Sequence, residues 1–391
     1  MTGICSSPAL AIVNMPAIYS LSTLAHLFCY FTKKHMRRTL CGLLVCLYFP
    51  LQAQHLRPGF DANEYAELLQ LPERGDSTVM QKHPDKYTLL YTSPEVGFYN
   101  RWLLWKRQDG VGIVQIRGTI GKTESWLANF YAAMIPAKGS LQLTDSSRFD
   151  YQLAADTVAA YVHVGWTMAL GFMAPDIVRH IRALYAEGVR EFIITGHSQG
   201  GAIAFLTRSY LEYLPGMPDD IVYKAYCSAA PKPGNLYYAY DFDLITRNGW
   251  GYRVVNSADW VPETPLSLQT VNDFNAVNPF INLKNGLKKQ KFFVRLYGNM
   301  VYNKMTRATN RSVRRFRKYL GNTVYKLSAK GLPQLKQPEY AHSNNYMTAG
   351  APVILMADEA YHSKFPFDGQ NVFVHHMPAK YLYLLKQYYP D

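Results

Sequence analysis

Six residues constrain this chain more than any others. Gly196-His197-Ser198-Gln199-Gly200-Gly201 follows the apolar run Phe192-Ile193-Ile194 and precedes a helical pattern over 200–214 with Ala202, Phe205 and Leu206 facing inward. A strand that turns straight into a helix through G-x-S-x-G forces its serine into strained backbone angles, and Cβ atoms two residues to either side would collide. The glycines answer that crowding. The helix also points its N-terminus at the serine, where a developing oxyanion would be stabilised. Ser198 is the expected nucleophile, and the backbone N–H of Gln199 the expected oxyanion donor. The competing reading is a tight glycine turn with an idle serine.

A nucleophilic serine needs a base and an acid to orient that base, and in a strand–turn–helix setting they follow in the order Ser, Asp, His. Asp259 ends the apolar run Tyr252-Arg253-Val254-Val255-Asn256, and a loop at the C-terminal end of such a strand faces the reactive side of an open α/β sheet. Asp241, Asp243 and Asp273 are weaker candidates. Four histidines follow Asp259: His342, His362, His375 and His376. The last two precede a C-terminal amphipathic helix over 377–388, from where a loop can reach back over the sheet.

The surrounding pattern is α/β. Strands are expected at 88–91, 97–107, 111–116, 191–195, 222–229 and 251–256. Helices are expected at 61–71, 126–134, 156–184 and 200–214. This order predicts a mostly parallel central sheet flanked by helices.

Several blocks in sequence resemble the class 3 (fungal-type) lipases of the α/β-hydrolase superfamily. They are Ile116-Arg117-Gly118-Thr119, Ser125 to Phe130, Val162-His163-Val164-Gly165-Trp166, the Gly196–Gly201 turn, Ala230 to Asn235, Val254 to Pro262, and His376 with Tyr381 five residues on. The resemblance covers roughly 86–265 and 290–391. It implies the α/β-hydrolase fold and ester hydrolysis through Ser198, Asp259 and His376, and it favours His376 over His375. It also implies Thr119 as a second oxyanion donor beside Gln199, and a structural His163. Gln199 stands where the family more usually has leucine. The strand that follows the acid is expected at Phe292–Gly298, which makes about 299–370 an insertion before the catalytic histidine.

Charge adds a second theme. The net charge is +13, yet residues 284–336 carry fifteen Lys or Arg and no Asp or Glu, so the rest of the chain is near neutral. Within that segment Arg307, Arg311, Arg314 and Arg315 alternate with Val313, Phe316 and Tyr319 at near-helical spacing. A basic amphipathic helix of this kind suits an anionic membrane surface or a solvated face. No nucleic-acid motif accompanies the charge, so nucleic acid is not an expected partner.

The first 54 residues read as an extension plus a leader. Lys33, Lys34, Arg37 and Arg38 precede an apolar stretch over 39–51 and a polar exit at Gln52-Ala53-Gln54. That is the layout of a bacterial-type signal peptide over about 36–53, starting at Met36 and cleaved near 53/54. The weaker alternative is a membrane anchor over 8–30. Four of the five cysteines fall before residue 47, leaving Cys227 alone in an apolar run. The expected product is an exported, periplasmic or extracellular, single domain over 55–391. It takes a lipid or other ester as substrate and needs no metal or organic cofactor. Phospholipase, short-chain carboxylesterase and a non-catalytic lipid-binding protein on the same fold remain open.

Overall fold

The structure is a computed structural model describing residues 54–72, 86–156, 159–280 and 283–390. Residues 55–391 form one compact unit. The expected signal segment and the apolar stretch 8–30 lie outside the described residues.

Among the described residues seven strands form the main sheet: β1 Tyr87–Thr92, β2 Trp102–Arg107, β3 Gly112–Ile116, β4 Glu191–His197, β5 Val222–Ser228, β6 Gly251–Asn256 and β7 Ala351–Leu355. Their spatial order is their order in the chain. β1, β2 and β3 pair antiparallel, and from β3 to β7 every neighbour is parallel. The expected mostly parallel sheet is present, with an antiparallel edge.

Period-two alternation divides these strands between two cores. Trp102, Leu104, Phe192, Ile194, Ala225 and Cys227 pack on one face; Leu103, Trp105, Ile193, Tyr226, Val254 and Leu355 pack on the other. The helices are α1 Ala62–Leu69, α2 Thr123–Phe130, α3 Val164–Ala186, α4 Gln199–Tyr213, α5 Leu236–Ile245, α6 Leu283–Lys288, α7 Phe292–Phe316, α8 Val324–Gly331, α9 Glu359–Lys364 and α10 Pro378–Tyr388. α3, α4 and α5 cover the first face, while α1, α9 and α10 cover the second. Crossovers that place helices on both faces account for strands that are apolar throughout, such as the fully buried β4.

Two expectations are corrected. The helix expected from residue 156 starts at Val164, because Tyr161–His163 is a strand paired antiparallel with Met134–Pro136. His163 then caps α3, its ring accepting from Trp166 N at 3.3 Å. The strand expected at 292–298 is the start of the 25-residue helix α7. The strand beside β6 is β7, in parallel register from Tyr252↔Ala351 to Asn256↔Leu355. The expected insertion 299–370 therefore contains a core strand, and helices occupy most of 283–331. Phe293, Tyr297 and Met300 recur at three- and four-residue spacing with no alternation, which is a helical period.

Glycine is required where backbones meet. A Cβ on Gly200 would lie 2.1 Å from the carbonyl oxygen of Ile116, and one on Gly165 2.1 Å from that of Ala128. The first lets α4 start against the end of β3. The second lets α3 start against α2.

Candidate active site

At the end of β4 the chain turns sharply into α4. Ser198 sits at the turn with φ 60° and ψ −128°, a conformation that costs a non-glycine residue of order 1–3 kcal/mol. Its N–H donates to Ser228 O at 2.9 Å, and its carbonyl accepts from Ala202 N at 3.1 Å. A strained residue fixed from both sides presents its side chain at the C-terminal edge of the sheet.

Asp259 lies three residues beyond β6 and is 2% exposed. Its Oδ1 accepts from Val261 N at 3.0 Å. Its Oδ2 accepts twice, from His376 Nδ1 at 2.7 Å and from the Tyr381 hydroxyl at 2.7 Å. Tyr381 is fully buried on α10, so that helix carries a second, rigid donor to the carboxylate. His375 takes a different place: its Nδ1 meets the Tyr361 hydroxyl at 3.0 Å. The two adjacent histidines are thus separated by their partners.

Buried side chains hold the histidine loop by its backbone. Asn256 Nδ2 donates to His375 O at 2.9 Å. His197 Nε2 donates to His376 O at 2.8 Å, and its Nδ1 lies 3.0 Å from Ser228 Oγ. The Tyr65 hydroxyl lies 2.6 Å from that same Oγ. Burial, with His376 close by, drives the pKa of His197 down to about 3, so the ring is neutral. A neutral ring that donates from Nε2 must accept at Nδ1, which fixes the direction of the chain: Tyr65 to Ser228 to His197 to the His376 carbonyl.

On the opposite side Thr119 and Gln199 meet at one amide. Asn129 Nδ2 donates to Thr119 Oγ1 at 2.9 Å, while its Oδ1 accepts from Gln199 Nε2 at 2.9 Å and from Trp166 Nε1 at 2.9 Å. Trp166 stacks on His163, with ring centroids 3.6 Å apart. His163 Nε2 contacts Asn129 O at 3.1 Å, and burial brings its pKa to about 3. His163 is a neutral support beneath Asn129.

Ser198, His376, Thr119 and Gln199 all line one cavity of ≈ 1380 Å³. Leu68, Leu71, Trp126, Phe130, Trp260 and Leu266 wall it, with Phe373 against the His376 ring. The other candidates stay outside. Asp241 accepts from Tyr213 and from Ala155 N, Asp243 from Gly350 N, and Asp273 from Thr270 and Ser343. His342 is exposed beside Arg317, and His362 is exposed next to the His375 ring. No cluster of His, Cys, Asp and Glu that could hold a metal occurs among the described residues.

Sequence reasoning missed His197, Ser228, Tyr65, Asn256 and Asn129 as parts of the site. His197 and Asn129 stood inside quoted motifs. Asn256 stood inside one too, and nothing in the sequence marked Ser228 or Tyr65.

Residues 113–269 match the family described as lipase (class 3). Over this segment the chain is similar to the class 3 lipase family. It is 30% identical over 156 residues to secreted mono- and diacylglycerol lipase 1 of Fusarium solani, a match covering 39% of each chain. The match thus spans well under half of that relative's length. Among solved structures, the mono- and diacylglycerol lipase of Aspergillus oryzae is similar at 20% identity and a TM-score of 0.35, over 46% of this chain and 58% of that one. The Rhizomucor miehei triacylglyceride lipase is similar at 17% identity and a TM-score of 0.39, over 54% and 77%. The sheet order, the helices on both faces and the turn at Ser198 are those of the α/β-hydrolase fold.

Proposed function

We propose that this chain is an exported serine hydrolase that cleaves carboxylic esters of lipids. One observation carries the reading: a histidine held 2.7 Å from a buried carboxylate shares an apolar-walled cavity with a serine on a strained turn.

The chemistry follows from those groups. With Nδ1 held by Asp259, His376 has Nε2 left to take the proton from Ser198 as its oxygen attacks the ester carbonyl. The Asp259 carboxylate stabilises the imidazolium that forms, and Tyr381 keeps the carboxylate in place. The tetrahedral oxyanion is met by the backbone N–H of Gln199 at the N-terminal end of α4 and that of Thr119 in the loop after β3. Asn129 occupies one acceptor position on the Thr119 hydroxyl and so leaves that hydroxyl's proton free to turn toward the oxyanion. The imidazolium then protonates the leaving alcohol, and water attacks the acyl-enzyme by the same route in reverse.

The volume of the cavity and its leucine and aromatic walls suit a fatty acyl chain. The name of the Fusarium solani relative points to partial glycerides. Export is supported by the leader-like segment before residue 55 and by that relative's being secreted.

The test is hydrolysis of p-nitrophenyl esters from acetate to palmitate, and of monoacyl- and diacylglycerols, by the wild type and Ser198→Ala. The expected loss in the variant is at least about a thousandfold in kcat. Equal rates would remove the catalytic reading. A preference for acetate over all longer esters would replace lipase with short-chain esterase.

A further inference from the structure

α7 is an unusual helix for a water-soluble surface. At a rise of about 1.5 Å per residue its 25 residues extend roughly 37 Å, and Val313 is its one buried residue. Phe293, Tyr297 and Met300 are exposed, Phe293 at 79% and Tyr297 at 67%. Continuing at the same three- and four-residue spacing, Lys304, Arg307 and Arg311 are exposed along the same stripe. One helix face is thus apolar in its N-terminal half and cationic in its C-terminal half. Among the described residues no acidic side chain forms an ion pair with any cation of α7.

The helix is also fixed to the cavity. α7 continues through a wide-turned stretch, Arg317–Thr323, in which Leu320 lines the cavity and its carbonyl accepts from Ala133 N at 3.1 Å. Gly321 is buried against Ala133 and Tyr340. The C-terminal end of α7 is thereby tied to the cavity wall through Leu320.

We propose that α7 docks the protein on an anionic lipid surface, with Phe293, Tyr297 and Met300 entering the acyl region and Lys304, Arg307 and Arg311 lying among the headgroups. The occupant is argued from charge. An apolar patch alone would suit another protein equally well. A cationic row with no acidic partner among the described residues, in line with exposed aromatic side chains, matches an interface that is apolar inside and anionic outside. No helix among the described residues is long and apolar enough to cross a membrane, so α7 lies on the surface rather than spanning it. Docking is independent of hydrolysis and does not require the reading of Ser198 to hold.

The test is sedimentation of the full chain with vesicles of phosphatidylcholine alone, or with one third phosphatidylglycerol, alongside amide hydrogen exchange over 292–318. The comparison variants are Phe293→Ser with Tyr297→Ser, and Arg307→Glu with Arg311→Glu. Affinity for the anionic vesicles is expected to fall at least tenfold in each double variant, and the wild type to gain exchange protection over 292–318 on anionic vesicles only. Binding elsewhere in the chain would give a background shared by all variants and both lipids. Unchanged affinity of both double variants, or no lipid-dependent protection of 292–318, overturns the proposal. So does a lipid-free wild-type dimer that the apolar variant converts to monomer, which would assign the face to a second copy. Circular dichroism and ester hydrolysis in detergent check that the variants are folded.

Discussion

At the residue scale the candidate site depends on who shares an oxygen. Asp259 Oδ2 accepts from His376 and from Tyr381 at the same distance. Removing the tyrosine hydroxyl leaves the carboxylate its bond from Val261 N but frees it to rotate away from the imidazole. Tyr381→Phe is expected to lower kcat about tenfold, the worth of one hydrogen bond to a charged group, with KM little changed. A steady-state comparison on a soluble ester checks this, and an equal fall in kcat and rise in KM would argue for a damaged cavity instead. The Tyr65–Ser228–His197 chain is a support of the same kind, acting on the histidine's backbone carbonyl rather than its ring.

At the element scale α1 is clamped to the sheet by charge. Glu64 is buried on α1, and its Oε1 accepts from Lys224 Nζ at 2.9 Å and Tyr226 at 2.7 Å, while Oε2 accepts from Arg107 at 2.6 Å. Burial raises the Glu64 pKa, but Lys224, Arg107 and Tyr226 more than reverse this, and the net shift is downward. Lys224 is 1% exposed, so breaking the pair strands a buried ammonium. Glu64→Gln is expected to cost roughly 3–5 kcal/mol in denaturant unfolding. A cost below about 1 kcal/mol would mean that the ammonium finds water. Because Leu68 and Leu71 follow Glu64 along the same segment, the clamp also holds one wall of the cavity.

At the scale of the whole molecule, two buried neutral histidines set an acid limit. His163 and His197 both fall to about 3 in the folded protein, against an ordinary 6.5. The unfolded chain then binds more protons than the folded one below pH 6.5. The stability these rings contribute is present in full above that value and is lost as pH falls toward 3. By pH 5 the loss is roughly 2 kcal/mol for each ring. Urea unfolding at pH 7 and pH 5 should show a drop of that order with uptake of close to two protons. A flat profile would mean that the rings are charged in the folded state. The same folded unit carries α7, whose exposed face belongs to the molecule's outer surface rather than to its core.

The sequence by itself determined the α/β class, the position of Ser198 and the limits of most strands. These rest on local constraints: a turn only glycine permits, and a two-residue alternation that each strand carries alone. The tertiary structure decided what distance along the chain conceals. Which of two adjacent histidines meets Asp259 depends on a contact 117 residues away. The strand beside β6 is Ala351–Leu355, far along the chain from its partner, and that pairing is set by register with β6 rather than by any local pattern. Asn129 joins Thr119, Gln199 and Trp166 because α2, the β3 loop, α3 and α4 converge at one point. No periodicity encodes such a convergence. It comes from packing helices against a twisted sheet with glycines at the close approaches.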